Sequence, residues 1–282
     1  MIKSINIQET DTSTIYKYLS SSVTPRPIAL VSTIDSQGNK NLAPFSFFNV
    51  FSVNPPILVF SPVRRVRDNT TKHTLQNIKE TKECTIALVT KSIDQQVSLA
   101  SCDFPEGTNE FEKAGFTEIA STNVAPSRVG ESPINFECKI QDIIELGSEG
   151  GSGALILAKI STIHINRSIL DENENIDPFK LDIVSRLGGS WYGKTHIDSL
   201  YKIPKPVSKI GMGIDNLPDI IKSSNVLTGN ELAILASYDS IPNIDAKQIY
   251  PEFNSAEEQH LQAKKLINKN LVEEAWQILL MK

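Results

Sequence analysis

Cysteine is scarce in this chain, with three residues among 282. Cys84, Cys102 and Cys138 are odd in number and widely spaced, and no two of them form a Cys-x-x-Cys pair. This pattern indicates neither a disulfide framework nor a zinc site, so we expect buried, reduced thiols. The four histidines lack the His-x-x-x-His spacing of a zinc site, and we therefore expect no bound metal.

Positive charge is also in short supply. The formal net charge is -5 and the isoelectric point is about 5.5. Binding to a nucleic-acid backbone depends on clustered lysine and arginine, so this balance argues against a nucleic-acid partner. Any basic site must be a local patch.

Long hydrophobic runs are absent. The runs at 27–31 and 154–158 fall far short of the roughly 20 residues that a membrane helix needs. Residues 1–14 are polar and contain no apolar core of signal-peptide length. We expect a cytoplasmic protein with no membrane contact, and the 40% apolar and 22% charged residues are typical of a globular fold.

Strand patterns dominate the first 200 residues. Apolar and β-branched residues from Ile28 to Ile34, turn-forming residues at 35–39 and an apolar pattern over 41–53 together indicate a hairpin. Further strands are predicted at 57–61, 84–90, 134–146 and 154–165, and helices at 70–82, 93–101 and 109–114. The glycine-rich stretch at 147–153 lacks the Lys-Ser/Thr ending of a phosphate loop, so we interpret it as a hairpin loop.

The pattern changes after Tyr201. Pro204 and Pro206 are expected to form a hinge, and helical segments are predicted near 217–223, 229–237, 256–267 and 271–281. We therefore expect one domain at 1–203 and a helical extension at 204–282. The apolar faces of its last two helices need a partner surface, either the β domain or another subunit. Those faces contain Leu261, Leu266, Ile267, Val272, Ala275, Trp276 and Leu279.

Two segments near the N-terminus have the composition of a ligand site. Arg26 lies between Pro25 and Pro27 just before a predicted strand, although an ordinary surface arginine is the alternative. Residues 41–49 mix small, polar and aromatic side chains, as a flat heteroaromatic ligand requires. A core strand with incidental polar positions is the alternative there.

Two later segments extend this pattern. The basic stretch 64–74 leads into a predicted helix, whose N-terminus offers unpaired N–H groups and a positive dipole suited to phosphate. Its alternative is a solvated basic loop. At 186–193, two adjacent glycines leave space for a ligand beside Arg186, Trp191 and Tyr192, or form a tight structural turn.

In this order the four segments resemble the flavin reductase-like domain family. Its members carry similar Thr-Pro-Arg-Pro, Asn-x-Ala-Pro-Phe-Ser, Lys-Asp-Thr-x-x-Asn-Ile and Arg-x-Gly-Gly-x-x-Tyr elements, and the likeness covers roughly residues 20–200. The resemblance implies a mainly β fold with flanking helices, the antiparallel, Greek-key type FMN-binding split β-barrel, followed here by the helical C-terminal extension. It also implies a homodimer with the flavin near the subunit interface.

The resemblance assigns site residues by position. It implies contacts with the isoalloxazine ring and ribityl chain from one strand, phosphate contacts from the start of the helix, and further ring-edge or anionic contacts from two arginines. The residues are Asn41, Ala43, Pro44 and Ser46 along the flavin, Asn49 and Ser61 nearby, Lys72 and Thr74 at the phosphate, Arg26 and Arg186 as the arginines, and Tyr192 lining the pocket. His73 departs from the family, which usually has aspartate there, and residues 64–67 carry more charge than usual, so we expect the phosphate contacts to be shifted by a residue or two.

The function implied is an NAD(P)H-dependent flavin oxidoreductase. Hydride from NADH or NADPH would pass to flavin N5, and the electrons would pass to free flavin or a protein partner, with no catalytic acid or base required from the protein. No GxGxxG fingerprint is present, which is compatible with a nicotinamide that binds only by stacking. The alternatives are a flavoredoxin-like electron carrier reduced by a protein, or a non-catalytic binding protein.

Overall fold

The computed structural model describes residues 1–203, 210–243 and 252–281. The chain forms two compact units, Met1–Leu200 and Tyr201–Lys282. The hinge expected at Pro204 and Pro206 lies outside the described residues.

A seven-stranded antiparallel sheet forms the body of the first unit. Its strands are β1 (Ala29–Ile34), β2 (Lys40–Phe45), β3 (Phe48–Val53), β4 (Pro56–Phe60), β5 (Glu83–Leu88), β8 (Ile134–Glu145) and β9 (Ala154–Ile165), in the order β2-β1-β5-β8-β9-β4-β3. The two edge strands, β2 and β3, are separated in sequence only by Ser46 and Phe47. The sheet must therefore curl until its edges approach each other, which produces a barrel that is open along this edge.

The sheet is buried on both faces near β1. Ala29 and Val31 pack into the barrel core with Phe60 and Ile156. Leu30, which points to the opposite face, packs with Phe111 and other residues outside the barrel. This two-sided burial explains why β1 is a continuous apolar run instead of an alternating one.

Helices and two short hairpins surround the sheet. The helices are α1 (Thr12–Ser22), α2 (His73–Thr81), α3 (Asp94–Leu99) and α4 (Glu110–Ala114), and the hairpins are β6 (Glu118–Ile119) with β7 (Arg128–Val129) and β10 (Val184–Arg186) with β11 (Tyr192–Lys194). The predicted β body with flanking helices is confirmed.

Three local expectations were wrong or incomplete. The sequence pattern did not predict α1, although Asp11 caps it by accepting a hydrogen bond from the Thr14 N–H at 2.9 Å. The segment 41–53 is two strands, because the chain turns at Ser46 and Phe47. Cys84 and Cys138 are buried as expected, but Cys102 is exposed because it lies in the loop after α3.

The described part of the second unit is helical, as predicted. It contains α5 (Asp219–Lys222), α6 (Gly229–Leu235), α7 (Ala256–Asn268) and α8 (Val272–Leu279). Their apolar faces pack on one another around the fully buried Trp276 and Leu235. The partner surface expected from the β domain or another subunit is thus largely supplied within this unit, and Leu261, which is 45% exposed, is the exception.

Candidate functional site

A cleft in the first unit brings the second and third sequence segments together. Its empty volume is about 420 Å³, including space open to solvent. Strand β2 and the start of α2 line it on one side, and the loop after α3 lines it on the other. The lining residues are Asn41, Ala43, Pro44, Phe45, Arg65, Lys72, His73, Thr74, Ala100, Ser101, Cys102, Asp103, Phe104 and Glu110.

Buried polar side chains fasten β2 to α2 at the base of the cleft. Asn41 Nδ2 donates to Thr74 Oγ1 at 2.9 Å and lies 3.3 Å from Thr33 Oγ1. Asn77 Nδ2 donates to the same Thr33 oxygen at 3.1 Å. All four side chains are buried, so this network holds the first turn of α2 against the strand.

The first turn of α2 faces the cleft without a side-chain cap. Lys72 is the N-cap residue, and its side chain makes no capping hydrogen bond. The helix therefore begins at His73, later than the predicted Thr70, and directly follows a lysine, whose carbonyl accepts from the Leu75 N–H at 3.0 Å. An uncapped N-terminus next to a cation attracts anions.

Arg65 extends this basic surface. Its Nη1 donates to Thr70 Oγ1 and to the Thr71 carbonyl, each at 2.9 Å. These bonds fix the guanidinium against the loop that precedes α2. Arg64 closes the same loop through a 2.7 Å hydrogen bond from its Nε to Asn69 Oδ1.

The carboxylate of Asp103 forms ion pairs with three cations at the cleft, Arg65, Arg67 and Lys72. Asp103 Oδ1 accepts from Arg65 Nη2 at 2.9 Å and from Lys72 Nζ at 3.3 Å. Asp103 Oδ2 accepts from Arg67 Nη2 at 2.8 Å. The hydrogen bonds from Arg65 and Lys72 hold the pKa of Asp103 well below its usual range, so the carboxylate is charged at neutral pH.

A second carboxylate, Glu110, lies deeper in the cleft. Its Oε2 accepts from the Leu42 N–H at 2.9 Å and so joins α4 to β2. Burial raises the pKa of Glu110, partly offset by the Leu42 hydrogen bond and by His73 and Lys72 nearby. Glu110 therefore shapes the wall of the cleft and adds a titratable group to it.

Three of the predicted site residues form a separate group. Arg26 Nη1 donates to the carbonyls of Ser20 and of Val23, the latter at 2.7 Å, and its Nη2 donates to the Leu187 carbonyl at 3.3 Å. Arg186, paired with Arg26 through the backbone, stacks 4.6 Å from the ring centroid of Tyr192. These side chains join the end of α1 to the β10–β11 hairpin and do not line the cleft.

The remaining predicted residues lie near the open edge of the barrel. Ser46 is in the turn between β2 and β3, and Asn49 is exposed on β3, where its Oδ1 accepts from the Val50 N–H at 2.8 Å. Ser61 follows β4 and donates its N–H to the Phe47 carbonyl at 2.8 Å. None of the three lines the cleft, whereas Asn41, Ala43, Pro44, Lys72 and Thr74 all do.

The site prediction omitted Arg65, Asp103 and Glu110. Arg65 was visible in the basic segment, but nothing in its position distinguished it from Arg64 or Arg67. Asp103 and Glu110 reach the cleft only because the loop after α3 and the start of α4 fold over β2, a long-range contact with no local sequence signal.

Two negative findings apply to the described ranges alone. At 1–203, 210–243 and 252–281, no group of three or more His, Cys, Asp or Glu side chains is arranged to hold a metal ion. No helix within those ranges has the length and apolar character to span a bilayer.

A curled antiparallel sheet with a partly buried, charged cleft at its edge defines an open β-barrel, an architecture whose mouth commonly holds small ligands. A family model described as the flavin reductase like domain matches residues 20–179. The chain belongs to the flavin reductase-like domain family, and the resemblance noted from its motifs is confirmed. An uncharacterized protein of Aquifex aeolicus (strain VF5) is 38% identical over 197 residues, which cover 70% of this chain and 98% of that protein.

Solved structures agree with this assignment. Nitrilotriacetate monooxygenase component B from Bacillus cereus superposes with a TM-score of 0.67 at 27% identity, covering 72% of this chain and 99% of that chain. A protein with a split barrel domain from Shewanella frigidimarina gives a TM-score of 0.60 at 25% identity, covering 71% and 96%. The split-barrel fold is thus confirmed, and family and neighbours together support a flavin-related oxidoreductase.

Proposed function

We propose that this protein binds FMN in the cleft between β2 and α2 and oxidises NADH or NADPH, passing the electrons to free flavin or to a protein partner. The observation that carries the proposal is the meeting of an uncapped helix N-terminus, Lys72 and Arg65 with the small residues Ala43 and Pro44 in one cleft.

The basic end of the cleft fits a phosphate. Lys72 and Arg65 supply charge, and the first N–H groups of α2 supply directional donors. The Thr74 side chain is fully buried and accepts from Asn41, so its contribution to a phosphate would come mainly through its backbone N–H. We therefore propose that Thr74 contacts the phosphate through its backbone N–H and not through its hydroxyl group.

The β2 side fits the rest of the flavin. Ala43 and Pro44 have no bulky side chains to block a flat ring, and Asn41 offers an amide at the base of the cleft. Bound FMN would supply the two-electron chemistry, accepting hydride at N5 from the reduced nicotinamide. The protein would orient the flavin, balance the phosphate charge and limit access of water.

We also propose that the protein is a homodimer. The edge strand β3 exposes Val50, Phe51 and Val53, and α1 exposes Tyr16 and Leu19. Apolar side chains concentrated at an unpaired sheet edge are typical of a surface that a partner covers. Ser46, Asn49, Ser61, Arg26, Arg186 and Tyr192 remain predicted flavin contacts within this assembly.

Purification and anaerobic titration test the proposal. The protein is expected to be yellow, or to become so with added FMN, and its flavin absorbance is expected to bleach promptly with NADH or NADPH. A colourless protein that takes up no FMN would contradict the flavin assignment. Binding without bleaching by either nucleotide would contradict the NAD(P)H assignment and favour an electron carrier reduced by a protein.

Substituting Lys72 tests the phosphate position. Lys72→Ala removes one charge-assisted hydrogen bond, worth about 1.5–3 kcal/mol, so FMN affinity should fall roughly 10- to 150-fold. Riboflavin, which has no phosphate, should bind the variant and the parent equally. Lys222→Ala, which removes an exposed lysine from the second unit, is the matched control and should change neither affinity.

A further inference from the structure

Asp103 lies among the cations proposed to bind the phosphate. It belongs to the loop between α3 and α4, which walls the cleft opposite the start of α2. Its carboxylate accepts hydrogen bonds from Arg65, Arg67 and Lys72 at 2.8–3.3 Å. Two of these cations, Arg65 and Lys72, line the cleft with the start of α2, so the protein already places an anion of its own among them.

The charges of this group nearly cancel. The three cations Arg65, Arg67 and Lys72 face two carboxylates, Asp103 and Asp68, the latter 2.9 Å from Arg67 Nε. Within the described ranges, the ion-pair partner of Asp68 is Arg67, which is 66% exposed, and its Oδ1 accepts from Thr70. Asp103 instead contacts Arg65 and Lys72, the two cations that line the cleft. Asp103 is therefore the carboxylate that competes directly with a bound phosphate, since Asp68 pairs with Arg67 and Glu110, the other carboxylate lining the cleft, accepts from the Leu42 N–H.

We infer that Asp103 lowers the affinity of the cleft for the phosphate of FMN. FMN would therefore exchange with the solution instead of staying permanently bound. The inference rests on the proposed function, because it takes FMN as the ligand. A phosphate dianion can pair with Arg65 and Lys72 only by sharing them with Asp103 or by displacing its carboxylate. Both sharing the cations and displacing the carboxylate make the free energy of FMN binding less favourable, because Arg65 and Lys72 are already paired with Asp103 in the free protein.

The consequence concerns how the flavin is used. A flavin whose phosphate met Arg65 and Lys72 without a competing carboxylate would leave more slowly and behave more like a permanent prosthetic group. A flavin whose phosphate competes with an internal carboxylate leaves faster, because most differences in affinity between related complexes lie in the dissociation rate. Asp103 thus favours a protein that releases flavin over one that retains it.

The variant Asp103→Asn tests the inference, since it keeps the shape of the side chain and removes its charge. Removing a unit charge from beside a phosphate dianion should strengthen FMN binding on the order of tenfold at low salt. Most of the change should appear as slower FMN dissociation in stopped-flow measurements. Riboflavin affinity should stay unchanged, and FMN binding should become more sensitive to salt.

Two further variants test whether the change in FMN affinity comes from the charge at Asp103 and not from the loss of any carboxylate. Asp182→Asn removes a carboxylate of similar exposure that pairs with Lys194 at 3.4 Å and does not line the cleft, so FMN affinity should not change. Asp103→Ser removes the same charge with a different shape and should also tighten FMN binding. Thermal unfolding of each variant checks that the fold is retained.

The outcomes are distinguishable from those of the proposed function. If the parent protein binds FMN and both Asp103 variants bind it equally or more weakly, Asp103 does not compete with phosphate and the inference is wrong. If the parent takes up no FMN, the proposed function fails. Titration with inorganic phosphate, followed by calorimetry or NMR, then decides the inference. Tighter phosphate binding by both variants supports it, and unchanged or weaker binding overturns it.

Discussion

The two compact units differ in where their charged and apolar side chains lie. In the second unit, apolar residues close around Trp276, and its buried polar groups serve the structure, as in the capping box of Thr228 with Glu231. His260 similarly pairs with Ser224 at 2.7 Å. In the first unit, charged side chains converge on an open cleft, and apolar side chains at α1 and β3 remain exposed. The first unit therefore has an open charged cleft, whereas the buried side chains described for the second unit mainly build its own core, in which the Trp276 indole N–H has no hydrogen-bond partner among the described residues.

The largest effect should come from opening the core of the second unit. Trp276 is fully buried, so Trp276→Ala should destabilise this unit by about 3–5 kcal/mol. Hydrogen exchange should show loss of amide protection in α7 and α8, with β8 and β9 still protected. FMN binding should survive, because the cleft belongs entirely to the first unit.

The exposed tryptophan provides the control for that experiment. Trp191 is 76% exposed in the first unit, and Trp191→Ala should change stability by no more than about 0.5 kcal/mol. Equal loss of protection in α7 and in β8 of the Trp276 variant would show that the units unfold together and that the comparison between them is wrong.

A smaller effect should come from the exposed edge of the first unit. Phe51 is 70% exposed on β3, and Phe51→Glu should weaken dimerisation by at least about 2 kcal/mol, or roughly 30-fold, if this edge is the dimer interface. Sedimentation velocity over a range of concentrations measures the change. Ile234→Glu, at an exposed position in the second unit, should leave the assembly unchanged. Dimerisation unaffected by Phe51→Glu would place the interface elsewhere.

The smallest effect concerns acid stability. Burial alone would raise the pKa of Glu137, but hydrogen bonds from the Thr122 and Asn123 N–H groups and from His164 outweigh it and hold that pKa below its usual value. The pKa of Glu137 is lower in the folded protein than in the unfolded chain, where it is about 4.3. Ionised Glu137 therefore contributes fully to the free energy of unfolding above about pH 4.3. This contribution is lost as the pH falls through the folded-state pKa.

Glu137→Gln should therefore cost about 1–3 kcal/mol at neutral pH, where two backbone donors lose a charged acceptor, and less in acid. Urea unfolding between pH 7 and pH 3 measures this difference. Glu145→Gln removes an exposed carboxylate paired with Lys79 and is the control. A cost for Glu137→Gln that grows as the pH falls would contradict the assignment.

Much of the fold was predictable because its signals are local. Strand β8 alternates apolar and polar residues over 134–140, strand β9 begins with the apolar run 154–158, and the helices of the second unit follow three- and four-residue spacing. Helix α1 was not predicted because Tyr16 and Leu19 lie among polar residues and form no clear apolar face. In the structure both side chains are exposed. Its main local signal was the cap at Asp11.

The lining of the candidate cleft was predictable where a single strand or helix start supplies several of its residues. Asn41, Ala43 and Pro44 share a strand, and Lys72 and Thr74 share a helix start, so the motifs located them. Arg26 could not be placed in the same way. An arginine between two prolines has the same sequence signature whether it faces a ligand or, as the structure has it, the carbonyls at the end of α1.

By itself, the sequence determined a β-rich domain, a helical extension and a basic helix start, because each depends on residues within one turn or one strand. Only the tertiary structure decided which cations meet at the cleft and that Asp103 lies among them. The physical reason is that charge competition depends on distances between side chains from separate elements. Those distances come from the curl of the sheet and the packing of the loop after α3.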